Sequence, residues 1–398
     1  MKQPYYPKEI LIPQEERLAV LHGKGELHIG IPKEIHLQEK RVCLTPDGVA
    51  TLTGHGHKIM VESGAGEGAL YTDREYAEAG AEIVYDRKRV FGNDLVLKVE
   101  PPTSEELKMM HPGSVLMSAL QLNIQKKEFF ETLIKKKITA LAFEFIHDQH
   151  GMYPVVRAQS EIAGMASILI AAELLSKPGI SRNLLLGNLS GVPPAEVVIL
   201  GAGTVGEFAA RTALGLGASV KVFDNSLSKL RRLQTSVGRV IFTSTLQPTN
   251  IAKALTQADV VIGALRGKIR TPVVITEYMV EMMKPGSVLI DVSIDRGGVS
   301  ETSELTNHAN PVVIKHDVIH YGVPNIPSRY SRTATIAFSN IFVPYLRRIA
   351  ELGGIEDAIA VEPGLRNGVY AYKGLITNKS VAEWFGFDYR DINLIFLK

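Results

Sequence analysis

Six consecutive residues, Gly201, Ala202, Gly203, Thr204, Val205 and Gly206, follow the apolar run Val197 to Leu200. A strand that feeds a tight turn opening a helix needs glycine at three places. The first permits the sharp turn, the second lets backbone approach a pyrophosphate, and the third lets helix and strand pack closely. Amides at the helix N-terminus then hold the phosphates, aided by the helix dipole. A second apolar run, Ser219 to Phe223, ends in Asp224, about 20 residues on, where a carboxylate accepts from the adenosine ribose hydroxyls and repels a 2′-phosphate. The spacing predicts a dinucleotide site, with NAD favoured over NADP. Lys229, one helical turn past Asp224, either borders the adenosine or is an ordinary solvated helix lysine.

Two cations stand where a second reactant can be held. Lys98 ends an apolar strand just before Pro101 and Pro102, at the carboxyl edge where open α/β sheets place their sites. Taken alone, it also reads as a strand-end lysine reaching for solvent. Arg41 carries a planar fork that pairs with a carboxylate through two hydrogen bonds, although an arginine flanking a strand is commonly a surface residue. His147, His150, His316 and His320 read as structural or surface groups. The single cysteine, Cys43, cannot form an intrachain disulfide and reads as a small buried apolar residue, in keeping with a reducing cytoplasm. No metal is expected.

These residues need elements to position them, and the chain supplies an alternating β-α rhythm. Apolar runs at His28–Ile31, His57–Glu62, Ala81–Val84, Asp94–Val99, Ser114–Leu120 and Ile138–Phe145 alternate with helical patterns. Their density of Val, Leu, Ile and Phe suits strands buried on both faces. A long helix is expected over Ser160 to Leu175, then a Gly-, Asn- and Pro-rich loop, Gly187 to Pro194, as a domain hinge. A second β-α series follows through the glycine loop, with a short strand near Val240 and further strands at Val260–Ile262, Ser287–Ile290 and Val312–Ile314. A last long helix spans Thr335 to Leu352. The fold class is α/β, with two doubly wound units and a cleft between them.

The 398 residues exceed one ordinary core and suggest two domains. A net charge of +2 on 44 basic and 42 acidic residues gives no field that argues for nucleic acid or an anionic membrane. The most apolar segment, Ala163 to Leu175, is shorter than a membrane span and reads as a buried helix. The stretch before Glu26 lacks the apolar core of a signal peptide and reads as an extension of the fold or an interface arm.

Six stretches in order, IGIPKEIHLQEKRVCLT (29–45), ESGAGEG (62–68), Leu97 to Glu100, SEIAG (160–164), IDVSIDRGG (290–298) and HYGVPNIP (320–327), resemble alanine dehydrogenase. The same family includes the nucleotide-binding part of nicotinamide nucleotide transhydrogenase. The resemblance covers nearly everything from about Glu26 to Phe387. It implies a substrate domain made from both ends of the chain, residues 1–158 and 335–398, with the NAD-binding domain, residues 159–334, between them. It implies reversible, NAD-linked conversion of L-alanine to pyruvate and ammonia, usually by a hexamer. By the same resemblance Arg41 holds the substrate carboxylate, Lys98 contacts the substrate carbonyl or carboxylate, and Asp295 orients or activates water near the nicotinamide. Ser160, Asn325 and Ile326 line the cofactor, with Asn325 also reaching the substrate, and Asp291 is structural.

One position departs from the family. Its acid/base histidine, just after the strand Ser114–Leu120, is here Gln121, and glutamine does not titrate. Lys98, with its pKa lowered in a dry cleft beside Arg41, or Asp295, through a water, is expected to take over the proton transfers. Arg296 adds a positive charge beside the nicotinamide side. Besides alanine deamination, the glutamine leaves open a dehydrogenase of another amino acid or an opine, and a noncatalytic NAD(H)-binding protein of the transhydrogenase kind.

Overall fold

The computed structural model describes residues 25–36, 38–267 and 270–396. The expected N-terminal arm lies outside the described residues, apart from Gly25. Two sheets organise the chain. The first takes β1 (His28–Ile31), β2 (Lys58–Glu62), β3 (Glu82–Val84), β4 (Leu95–Leu97), β5 (Val115–Ser118) and β6 (Thr139–Ala142). The second takes β7 (Glu196–Leu200), β8 (Ser219–Phe223), β9 (Phe242–Ser244), β10 (Val260–Gly263), β11 (Val288–Asp291), β12 (Val312–Lys315) and β13 (Val318–Tyr321). The chain then returns to the first sheet with β14 (Val369–Tyr372) and β15 (Leu375–Ile376).

Both sheets are doubly wound in the same order. In the first, six parallel strands run β3-β2-β1-β4-β5-β6, and β14 and β15 add on antiparallel beyond β6. In the second, six parallel strands run β9-β8-β7-β10-β11-β13, with β12 antiparallel at the edge. The winding reverses between β1 and β4 in one sheet and between β7 and β10 in the other. Loops leave in opposite directions at such a reversal and open a crevice at the strands' carboxyl ends. Helices cover the sheet faces, so β4, β5, β6, β10 and β11 are buried along their whole length, as expected of parallel strands.

The helix Pro154–Leu175 joins the two units. It places Val155 in the first core and Ala166, Ile168, Ile170, Leu174 and Leu175 in the second. It starts six residues before the expected Ser160, because Pro154 suits a first helical turn, where a missing N–H costs nothing and φ is already set. At 22 residues it is long and apolar enough to cross a membrane, unlike the shorter apolar segment expected, but 56% of its most apolar window is buried within this fold. Gly164 lets it approach the glycine-loop helix Thr204–Gly215 closely: a Cβ there would stand 2.4 Å from the Val205 carbonyl oxygen.

The loop Gly187–Pro194 is not a hinge between the sheets. By Ala166 the chain already belongs to the second core, and Ala195, just beyond the loop, donates back to the Gly187 carbonyl. The return crossing runs from Ile326, in the second core, to Phe338, Phe342 and Leu346, in the first. Phe338 and its companions lie on the helix Ser331–Glu351. The strand expected near Val240 begins at Phe242, and Val240 is 96% exposed.

Candidate active site

The glycine loop leaves β7 at the reversal point of the second sheet. Gly201 has φ of 115°, a conformation closed to most L-residues, and a Cβ there would meet the Ala264 carbonyl oxygen at 2.3 Å. At Gly206 a Cβ would collide with the Gly201 carbonyl oxygen at 1.8 Å, so helix and strand touch. Gly203 differs from both: a Cβ there would have no protein atom within 4 Å. It faces open space at the first turn of the helix Thr204–Gly215, whose amides receive no side-chain cap. Unfilled backbone donors beside an open glycine are what a pyrophosphate requires.

Asp224 ends β8 directly beneath the loop and is buried. Its Oδ2 accepts from the Ala202 amide at 2.8 Å and its Oδ1 from the Ser226 amide at 2.7 Å. Two of roughly four carboxylate acceptor positions remain for ribose hydroxyls. Lys229 stands 3.9 Å from Asp224 and is half exposed.

A cleft of about 280 Å³ opens beside the loop, lined by Ser160, Val205, Asp295, Asn325 and Ile326 together with Gln159, Arg266 and Arg296. A second hollow of about 250 Å³ adjoins it through Ser160, Val205 and Arg266 and reaches Gly203 and Thr204. Asp295 stands on a short 3-10 turn at the rim. The surrounding protein desolvates its carboxyl and raises its pKa, while Arg296 and Arg266 pull the other way. Asp291 faces inward and accepts from Ser293, Val299 and Ser303.

Across the cleft the first sheet presents its own reversal point, and Arg41 lies there, buried. Glu39 grips it side-on: Nε donates to Oε1 at 2.8 Å and Nη2 to Oε2 at 2.6 Å. The end-on edge points elsewhere, with Nη1 on the Gln159 amide oxygen at 2.9 Å and Nη2 at 3.8 Å from Glu100 Oε1. Asn325, held at φ of 56°, donates to Glu39 Oε2 at 2.7 Å. The same carboxylate therefore orients the arginine and the asparagine.

Gln121 also has positive φ, 45°, and donates its side-chain amide to Glu100 Oε2. Non-glycine residues in this region are uncommon and gather at functional sites. Burial would raise the Glu39 pKa, but the charge and hydrogen bonds of Arg41 outweigh it and hold the carboxyl near 2. Burial and the neighbouring Glu39 charge push Glu100 the other way, up to about 8, against the pull of Arg41. The two carboxyls around this guanidinium are thus pushed in opposite directions, Glu39 down and Glu100 up.

The N-terminal domain profile of the alanine dehydrogenase/PNT family matches residues 30–163, and the C-terminal domain profile matches residues 167–379. The chain belongs to the alanine dehydrogenase/PNT family. It is 41% identical over 363 residues to alanine dehydrogenase of Bacillus subtilis (strain 168), covering 91% of this chain and 95% of that one. Among solved structures it is similar to an L-alanine dehydrogenase, with TM-score 0.85 and 35% identity over 90% of this chain and 99% of the other. The transhydrogenase from Sinorhizobium meliloti matches with TM-score 0.75 and 25% identity, over 89% and 99% of the two chains.

Within this alanine dehydrogenase/PNT fold, Lys98 occupies an unforeseen setting. It is 1% exposed, with Nζ 3.1 Å from Glu34 Oε2 and 3.5 Å from Glu106 Oε2. The expected partner, Arg41, is not in contact with it, and two carboxylates surround it instead. Both are tied in place, Glu34 by the Val99 amide and Glu106 by Arg87. None of the four candidate histidines, His147, His150, His316 and His320, lines the cleft. His320 is buried against Thr302 and the Val318 carbonyl, and burial lowers its pKa. His316 pairs with Glu277, and His147 meets the Asp148 carbonyl. Cys43 is buried and free.

Glu39, Glu100 and Gln159 are the site groups that sequence reasoning passed over. Each was within reach of a residue already singled out: Glu39 two before Arg41, Glu100 two after Lys98, and Gln159 one before Ser160.

Proposed function

We propose that the chain catalyses the reversible oxidative deamination of L-alanine to pyruvate and ammonium, with NAD as acceptor. L-Alanine, NAD⁺ and water give pyruvate, ammonium, NADH and a proton. The observation that carries this reading is the apposition of two reversal points across one cleft, a glycine loop built for a pyrophosphate facing an arginine whose Nη1 rests on the neutral amide of Gln159. Gly201, Gly203, Thr204, Val205 and Gly206 hold the pyrophosphate, and Asp224 with Lys229 borders the adenosine ribose. Ser160, Asp295, Asn325 and Ile326 line the nicotinamide end. When bound, the nicotinamide supplies the hydride acceptor.

The substrate carboxylate takes the end-on edge of Arg41, displacing its contact with Gln159, while Glu39 keeps the guanidinium in plane. Asn325 steadies the same end of the substrate. Lys98, buried between Glu34 and Glu106, acts from behind the site by holding Glu34, whose charge reaches Arg41 and Glu100. Asp295 orients the water that attacks the imine carbon. The substrate domain comprises residues 1–158 and 335–398 and the NAD-binding domain residues 159–334. A homo-oligomer in the cytoplasm, hexameric like its family, completes the reading.

Purified protein given NADH, pyruvate and ammonium consumes NADH, followed by absorbance. A flat trace at both neutral and alkaline pH sinks this reading. A second reading, NAD(H) binding without turnover, draws on Gln121, which has no proton to exchange. Saturable NADH binding with no consumption across a panel of keto acids would favour it.

A further inference from the structure

We infer that Glu100, held by the side-chain amide of Gln121 beside the end-on edge of Arg41, is the group that moves protons to and from the substrate nitrogen and the attacking water. This rests on the alanine-deaminating reading.

Geometry carries the argument. The substrate carboxylate on Arg41 Nη1 and Nη2 brings its Cα and amine next to whatever flanks that edge. The flanking group is Glu100, whose Oε1 lies 3.8 Å from Nη2. The other oxygen, Oε2, is fixed by Gln121, itself locked by a left-handed backbone and by its amide on Glu144 at 3.4 Å. Glutamine offers an N–H donor that never titrates, so it positions the carboxyl in either protonation state. The groups facing Glu100 are Glu39, Arg41, Glu34 and Gln121. Burial and the two acids raise its pKa, which leaves both of its forms accessible near neutrality, as general acid/base work requires. Lys98, between two carboxylates, and Asp295, at the rim, are less suited to that exchange.

The steps balance. Ionised Glu100 takes a proton from the alanine ammonium, and the freed lone pair supports loss of hydride from Cα to the nicotinamide. Glu100 releases its proton to solvent, then accepts one from the water that adds to the imine carbon. It returns that proton to nitrogen as the C–N bond breaks, and ammonia leaves; the carbinol O–H proton is lost as the carbonyl forms, and ammonia takes it up as ammonium.

The test compares wild type, Glu100→Gln and the double variant Glu100→Gln/Gln121→His, each checked for folding by NADH fluorescence titration. The expected result is a fall in kcat of about 100-fold or more for Glu100→Gln. The pH limb of kcat/KM near neutrality disappears with it, and NADH affinity stays within about threefold. The double variant, which restores a titratable group on the neighbouring position, regains at least about tenfold. Infrared titration of the NADH-bound enzyme supplies a readout apart from turnover: a protonated-carboxyl band present in wild type near neutrality and missing in Glu100→Gln. An active wild type with a Glu100→Gln variant that keeps its rate and pH limb overturns the inference alone. Absence of the infrared band does the same. A wild type inactive on alanine and pyruvate overturns the alanine reading and this inference together.

Discussion

Glu39 and Arg41 face each other along one edge, with Nε on Oε1 at 2.8 Å and Nη2 on Oε2 at 2.6 Å, in a setting where both side chains are almost fully buried. Two residues apart in sequence, they are held side by side so that the end-on edge of the guanidinium faces the cleft. A buried pair of this kind is costly to break because the remaining charge has no partner. Glu39→Ala is expected to lower unfolding stability by about 3–5 kcal/mol, measured by chemical denaturation. The conservative Arg41→Lys keeps the charge but loses the planar fork. It should raise KM for pyruvate about tenfold or more while NADH affinity holds.

Acid and base limbs of stability follow from the same pair. Glu39 has its pKa depressed from 4.5 to about 2, so the stability it contributes is present above 4.5 and is lost as pH falls toward 2. Glu100 is raised to about 8. The folded state binds more protons than the unfolded state between 4.5 and 8, so stability falls as pH rises through that window. Thermal melts of wild type should show a declining Tm from pH 5 to pH 8 that Glu100→Gln flattens. An unchanged slope in the variant would contradict the raised carboxyl.

The glycines of the cofactor loop separate by what a methyl group would meet. Gly203→Ala fills open space, so melting should shift by no more than about 1 °C, a surface-sized effect, while NADH binding weakens. Gly206→Ala drives a methyl into the Gly201 carbonyl and should lower the melting temperature sharply before any binding is measured. Equal effects of the two substitutions on melting would overturn this distinction.

For Asp224→Ala, NADH affinity should fall about tenfold or more in a fluorescence titration, and the preference for NADH over NADPH should shrink as the repulsion of a 2′-phosphate disappears. Arg41→Ala, on the opposite wall, should change NADH affinity by less than about threefold. Similar losses in both variants would count against placing the adenosine end at β8.

Lys98 sits between Glu34 and Glu106 with no open surface. Lys98→Met leaves two buried acids without their shared cation and should cost about 3–5 kcal/mol in denaturation, alongside any loss of turnover.

The parallel strands were legible because burial on both faces leaves runs of Val, Leu and Ile that no exposed segment mimics. The glycine loop and Asp224 were legible because each glycine answers a local steric demand. The hairpin joining β12 and β13 was missed: its turn is made by His316 and Asp317, both left-handed, without the glycine that advertises such turns. The returning strands β14 and β15 were missed for a different reason. They are short, and they join the first sheet from more than 200 residues away, a pairing that no local window contains. Glu39 and Glu100 escaped notice because an acid beside a basic residue reads as a solvated surface pair. Only the fold reveals that both are buried against Arg41. Lys98 does stand at the carboxyl end of its strand, but its neighbours are Glu34, on the loop after β1, and Glu106, in the helix Ser104–Met109, whose convergence depends on the winding reversal.

The helix Pro154–Leu175 is rooted in one core at Val155 and in the other at Ala166 and beyond, so it is a strut shared by both. Gln159 and Ser160 lie on the stretch between those roots. One receives the Arg41 guanidinium and both line the cofactor cleft, so two adjacent residues of a single strut set the spacing between the arginine and that cleft.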